Sequence, residues 1–195
     1  EPDQPKLILS EAEQSWLKAH PKIRVSNEND YPPFDFAVGG QAQGLSVELL
    51  NLLAQRIGIK IEYITGATFE QFMQQHKQGE IDVVSTISRT PEREKLGLFT
   101  EPYYQMKVAF VTRKTDADIQ SFDQLNGKTV AVMKGSQFEA FLKTNHPAIR
   151  RLAFNNMEQM LEAVWNGEAD ATLEAEDVIK YWQRKGVNGL KIAGE

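Results

Sequence analysis

TFEQFMQQHKQGEIDVVS at residues 68–85 and NMEQMLEAVWNGEADATL at residues 156–173 are two versions of one unit, 88 positions apart. Glu70/Glu158, Gln71/Gln159, Gly79/Gly167, Glu80/Glu168 and Asp82/Asp170 keep a single register without a gap. Each copy predicts a capped helix, a glycine stop and a short apolar strand. A cap residue, Thr68 or Asn156, stands three before a Gln, which is capping-box spacing. One repeat at this distance points to two similar α/β lobes; a solenoid would repeat sooner and more often. Facing lobes enclose a cleft, a usual place for a small ligand. The bland alternative is chance likeness between amphipathic helices.

The elements around the repeat agree with two α/β lobes. Ser10 and Glu13 form another capping box, opening a helix that carries Trp16 and Leu17 and stops before Pro21. Residues 23–25 and 59–64 read as strands. Leu45, Leu49, Leu52, Leu53 and Ile57 recur at helical spacing, and Gly58 ends that helix. Tyr31-Pro32-Pro33-Phe34 is a turn or extended loop, because each proline keeps its predecessor out of the helical region. Gly39-Gly40 marks a hairpin-like turn. KVAFVTR at 107–113, KTVAVM at 128–133 and residues 151–154 read as strands, with helices from Gly135-Ser136 to Leu142 and over 176–185. The polar stretch 115–121 reads as a connector between lobes. Alternation of strands and helices predicts mainly parallel sheets.

Composition narrows the function. The chain has 195 residues, 41% hydrophobic and 25% charged, which suits one large or two small folded domains. A net charge of −5 with scattered acids gives no basic stripe for nucleic acid or an anionic membrane. No apolar run is long enough for a membrane span. The opening Glu1-Pro2-Asp3 carries no signal peptide, as expected of a processed or excised piece. With no cysteine, disulfides and thiolate metal sites are excluded.

Enzyme signatures are weak. Gly127-Lys128-Thr129 lacks the glycine five residues earlier that a phosphate loop needs (Phe122 stands there), and it leads into a strand. His20, His76 and His146 have no ligand spacing, so no metal or cofactor is expected. There is no Gly-x-Ser-x-Gly elbow. Three segments look like ligand chemistry instead. In STISRTPER at 85–93, hydroxyls precede a helix start, and Arg93 offers a bidentate fork for a carboxylate; the plainer reading makes Arg93 an exposed helix residue. Lys134-Gly135-Ser136-Gln137 is a strand-to-helix turn whose N–H groups could face an anion, or an ordinary loop. Tyr31, Phe34 and Phe69 are loop aromatics that could sandwich a ligand or pack a minor core.

Taken in order, YPPF, GLSVELLNLLAQRIG, F-x9-G-x-I-D, STISRTPEREKLGLFTEPYY and KTVAVMKGS resemble family 3 periplasmic solute-binding proteins over residues 22–192. The resemblance implies a two-lobed, type II Venus-flytrap fold for polar amino acids. It implies that Arg93 clamps an α-carboxylate, aided by Ser88, Thr86 and the turn Gly135, Ser136 and Gln137. Tyr31 and Phe69 would pack the ligand. The chain departs from the family where an Asp usually holds the ligand ammonium: Ala175 is there, flanked by Glu174 and Glu176. Either a shifted Glu, Glu28 or Glu174, takes that role, or the ligand has no ammonium. LSEAEQSWLKAHPKIRVS at 9–26 is similar to the lead-in of flytrap domains in membrane-bound bacterial sensors such as histidine kinases and cyclic-dinucleotide enzymes. Its Trp16 helix would dock on lobe 1, or simply be a stabilising extension.

The resulting expectations divide the chain into a lead-in (1–21), lobe 1 (22–112) and lobe 2 (113–195), with a hinge near 111–115. The return of the chain to lobe 1 is expected to be missing, leaving an incomplete lobe that needs a partner chain, a swapped element or tolerance of an exposed edge, with a homodimer or swapped dimer as the partner arrangements. The function expected is a non-enzymatic periplasmic sensor domain for a small polar ligand, joined to a membrane only through flanking segments. The alternatives are a soluble importer receptor, a periplasmic enzyme on the same fold with Glu174 as its acid, and a ligand-free relay whose cleft is filled by side chains.

Overall fold

The computed structural model describes residues 7–194. Helix α1 spans Glu11–Ala19, followed by strands β1 (Lys22–Ser26), β2 (Asp30–Tyr31), β3 (Asp35–Val38) and β4 (Gln41–Gln43). Then come α2 (Leu45–Ile57), β5 (Lys60–Ile64), α3 (Phe69–Lys77) and a 3-10 turn at Arg93–Lys95. The rest is β6 (Val108–Arg113), a 3-10 turn at Phe122–Leu125, β7 (Thr129–Met133), α4 (Gln137–Asn145), β8 (Arg150–Phe154), α5 (Met157–Trp165), β9 (Ala171–Ala175), α6 (Glu176–Arg184) and β10 (Leu190–Gly194).

The repeat is structural. α3 and α5 have nine residues each, and Thr68 Oγ1 and Asn156 Oδ1 accept from the N–H of Gln71 and Gln159. Each helix is followed by a glycine with positive φ, Gly79 (73°) and Gly167 (80°). The paired aspartates then do the same job in each copy. Asp82 Oδ2 accepts from Arg24 N at 2.8 Å, and Asp170 Oδ2 accepts from Thr129 N at 2.8 Å. Each carboxylate thus ties the segment after its helix to the parallel strand beside it in its own lobe, β1 or β7.

Beyond these aspartates the lobes diverge. In the larger sheet the order is β10-β6-β9-β7-β8; β7 runs parallel to β8 and β9, while β6 is antiparallel to β9 and β10. In the smaller lobe β1 pairs in parallel with β5, and the expected strand after α3 is reduced to a bridge between Val25 and Val83. There the chain turns away at Thr86, whose φ is +52°. Among the described residues no later segment joins this smaller sheet.

Three expectations need correction. The boundary at residue 112 puts β6 in lobe 1, but β6 is flanked by β9 and β10 in the larger sheet, so lobe 2 begins before residue 108. Val111 pairs with Thr172 on one side and Ile192 on the other, and it is wholly buried; a segment held on both edges cannot be the hinge. The described crossing is the irregular stretch 99–107, and residues 114–121 lie within the larger lobe. Finally, α1 buries none of its residues; Trp16 is 50% exposed and stacks on His20, so the helix does not dock on lobe 1.

The leucine face of α2 also differs from a core face. Leu45, Leu52 and Leu53 are exposed, while α2 buries Ser46, Val47 and Ala54. Leu53, with Leu49, Met73, Phe99 and Tyr103, borders a groove of about 440 Å³ in the smaller lobe whose lining also includes Thr86 and Arg93. The larger lobe has two apolar layers, one around Met157, Met160, Val164 and Ile179 and the other around Leu125, Leu142 and Ile149. Phe34, from the Pro-Pro turn, inserts into the first of these and carries the smaller lobe with it.

Candidate functional site

Arg93 is set by its surroundings. Its Nη1 donates to Ser88 O at 3.1 Å, and its Cζ lies 5.0 Å from the centre of the Phe69 ring at the start of α3. Burial lowers its pKa from the ordinary guanidinium value, without threatening its charge. Its Nη2 approaches Gly135 O of the other lobe at 3.5 Å. The half-buried Arg93 therefore stands where the lobes meet rather than on an outer helix face.

The facing wall belongs to β9 and the turn before α4. Strand alternation decides which acid can reach it. Ala175 is buried in the core beside β6, and Glu176 pairs with Lys180, whereas Glu174 turns into the cleft. Its Oε1 accepts from Tyr31 Oη at 3.0 Å and from Ala175 N at 2.7 Å. Burial pushes this carboxyl up to about 7; the two hydrogen bonds pull the other way, and the charge of Asp30 adds to the rise. Glu28 is pushed up to about 8, first by burial and then by the nearby Asp35 and Asp30.

All ten residues expected at the site except Gly135 line one cavity of about 90 Å³: Glu28, Tyr31, Phe69, Thr86, Ser88, Arg93, Ser136, Gln137 and Glu174. Gly135 borders it. Its φ is +75°, and a Cβ there would stand 3.5 Å from Glu70 Cβ and 3.8 Å from Phe69 Cδ1 of the opposite lobe. The anion-binding reading of this turn is only partly supported. Lys134 N donates to Phe154 O at 2.8 Å, Gly135 N to Glu139 Oε2 at 2.7 Å and Ser136 N to Met133 O at 3.1 Å, so three N–H groups are already used. Ser136 Oγ caps α4 by accepting from Glu139 N.

Sequence reasoning missed Asp30, Met133 and Phe138, which share the cavity wall. Asp30 Oδ2 accepts from Met157 N of the other lobe at 2.5 Å. An Asp before a tyrosine has no motif to betray it; only the approach of α5 gives it a role. Lys134 and Glu70 make a further cross-lobe pair at 2.9 Å. No group of acids and histidines that could hold a metal occurs among the described residues.

The family assignment can now be made on a two-lobed frame with an arginine at its cleft. The sequence matches the bacterial extracellular solute-binding proteins, family 3, over residues 23–172. The chain belongs to that family. Domains of this family are extracytoplasmic, and no helix among the described residues is long and apolar enough to cross a membrane. The chain is similar to the virulence sensor protein BvgS of Bordetella pertussis, with 30% identity over 187 residues, covering 94% of this chain and 15% of BvgS. It is also 30% identical to the probable amino-acid-binding protein YxeM of Bacillus subtilis over 84% of this chain and 62% of YxeM. The crystal structure of the BvgS VFT2 domain matches with a TM-score of 0.82 and 29% identity, covering 95% of this chain and 80% of that one. Holo ArgBP from T. maritima matches with a TM-score of 0.82 and 26% identity, covering 93% and 80%. The family is one of solute binders, and the fold is the two-lobed flytrap.

Proposed function

We propose that this chain is the ligand-binding sensor domain of a bacterial transmembrane signalling protein, on the extracytoplasmic side of the inner membrane. It takes a small polar ligand, an amino acid or another carboxylate, between its lobes. The observation that carries this reading is the gathering of Arg93, Phe69 and Ser88 from one lobe with Glu174 and Gln137 from the other around one cavity. Arg93 anchors the carboxylate through its fork, Ser88 holds the fork in place, and Tyr31 and Phe69 enclose the apolar part. Glu174, Glu28 and Asp30 offer carboxyl groups to an ammonium; burial raises the pKa of all three, and a bound cation favours their ionised forms.

A cavity of about 90 Å³ is well below the ~300 Å³ at which ligand pockets begin. Ligand entry therefore requires the lobes to part, breaking Tyr31–Glu174 and Asp30–Met157, and closure is the event that a sensor transmits. The sensor reading is favoured by the extent of the BvgS match, 94% of this chain against 84% for YxeM. The second reading, an importer's receptor, shares the cleft and rests on the likeness to amino-acid-binding relatives.

The test is thermal stabilisation against amino acids, dicarboxylates and amines. A ligand at 100 times its dissociation constant stabilises by ~2.7 kcal/mol. We expect one carboxylate-bearing compound to raise the melting temperature and Arg93→Ala to abolish the rise. A rise that survives in Arg93→Ala would refute the assigned site.

A further inference from the structure

Asp35 is fully buried, carries a carboxylate, and does not itself line the cavity. Four donors converge on it from two segments of the smaller lobe. Oδ1 accepts from Asn27 Nδ2 at 2.6 Å and Glu28 N at 3.3 Å; Oδ2 accepts from Ser85 Oγ at 2.5 Å and Thr86 Oγ1 at 3.2 Å. Glu28 and Thr86 are cleft residues, so one buried group fixes both sides of the cleft floor. Thr86 Oγ1 also lies 2.7 Å from Ser46 Oγ, which extends the network to α2 and, through Tyr103 Oη at 2.7 Å, across the groove that Leu53 borders.

The backbone adds an independent sign of purpose. Thr86 is the only non-glycine with positive φ among the described residues, at +52°, a costly conformation for a β-branched side chain. Strain of this kind persists only where surrounding contacts over-determine it, and it gathers at functional sites. At Thr86 the chain leaves the strand direction begun at Val83 and proceeds to Ser88, whose carbonyl holds the Arg93 guanidinium.

We infer that Asp35 is the positioning residue of the ligand site: its carboxylate holds Thr86 in the strained turn and so sets Ser88, Arg93 and Glu28 for ligand. This rests on the reading of the cleft as a ligand site. Asp35→Asn preserves shape but removes the negative charge, and its amide nitrogen only donates where Oδ2 accepted, so the hydroxyls of Ser85 and Thr86 must rotate to accept from it and their charge-assisted bonds are lost.

Amide hydrogen exchange and L-arginine affinity are to be measured on the whole chain as wild type, Asp35→Asn and Ile59→Ala. The last removes core from the same lobe at a residue remote from the network, and shows what destabilisation alone does. We expect Asp35→Asn to speed exchange at residues 85–88 at least tenfold more than in β7 and β9, and to weaken L-arginine at least tenfold, while Ile59→Ala does neither. Uniform exchange across the chain, or unchanged affinity in Asp35→Asn, would overturn the assignment. If the wild type binds no L-arginine, the cleft reading fails for that probe and the local exchange decides the positioning role alone. Should Asp35→Asn not fold, Ser85→Ala, which deletes the 2.5 Å bond, must give the same local pattern in weaker form.

Discussion

Replacing Glu174 with Gln should reshape the dependence of stability on pH, and the size can be worked out. Glu174 sits 2% exposed, and its carboxyl rises from 4.5 to about 7 on folding. At ~1.4 kcal/mol for each pH unit of that rise, keeping it ionised costs the folded state about 3 kcal/mol. The sign depends on which state holds the proton. Below pH 4.5 the carboxyl is protonated in both states and the cost is absent. Between pH 4.5 and about 7 the unfolded chain ionises first, so stability falls; above that the full loss has been taken. Gln keeps an oxygen for Tyr31 Oη and Ala175 N, preserves the volume, and does not titrate. The variant should match the wild type near pH 4.5 and exceed it by about 3 kcal/mol at pH 8, or roughly 6–12 °C in melting temperature for a chain of this size. Glu28, pushed up to about 8, titrates in both proteins and largely cancels in the difference. Urea unfolding from pH 4.5 to 8 is the assay. Parallel profiles for the two proteins would refute the claim that Glu174 is held in a desolvated cleft.

The same geometry gives further expectations. Asn156→Ala deletes the α5 cap bond to Gln159 N and should cost ~1 kcal/mol, read by urea unfolding. Gly135→Ala puts a side chain at φ +75° and should cost ~1–2 kcal/mol by the same measurement. Trp16→Ala should leave the stability within ~0.5 kcal/mol of wild type, because α1 buries none of its residues.

Much of the site was legible because it is built from local signals. STISRTPER placed Arg93 at the first turn after a run of hydroxyls, and the resemblance tied it to Ser88 and Phe69; the structure puts these three together. Asp30 and Asp35 were not legible. Each is an isolated acid near a proline turn, and its partners are 127 and up to 51 residues away. The α2 leucines misled for a related reason. Helical spacing shows that a face is apolar, not that another element covers it.

The sequence by itself determined the two-lobed plan. Its repeat has caps, glycine stops and aspartates in register, and these act through hydrogen bonds within a few residues or to the nearest strand. Only the tertiary structure decided that β6 belongs to the larger sheet, that Glu174 rather than Ala175 reaches the cleft, and that Tyr31 closes on it across 143 positions. Periodicity can name a strand but not its neighbours. Which edge it joins, and which of two adjacent residues faces a gap, depends on packing between segments far apart in the chain.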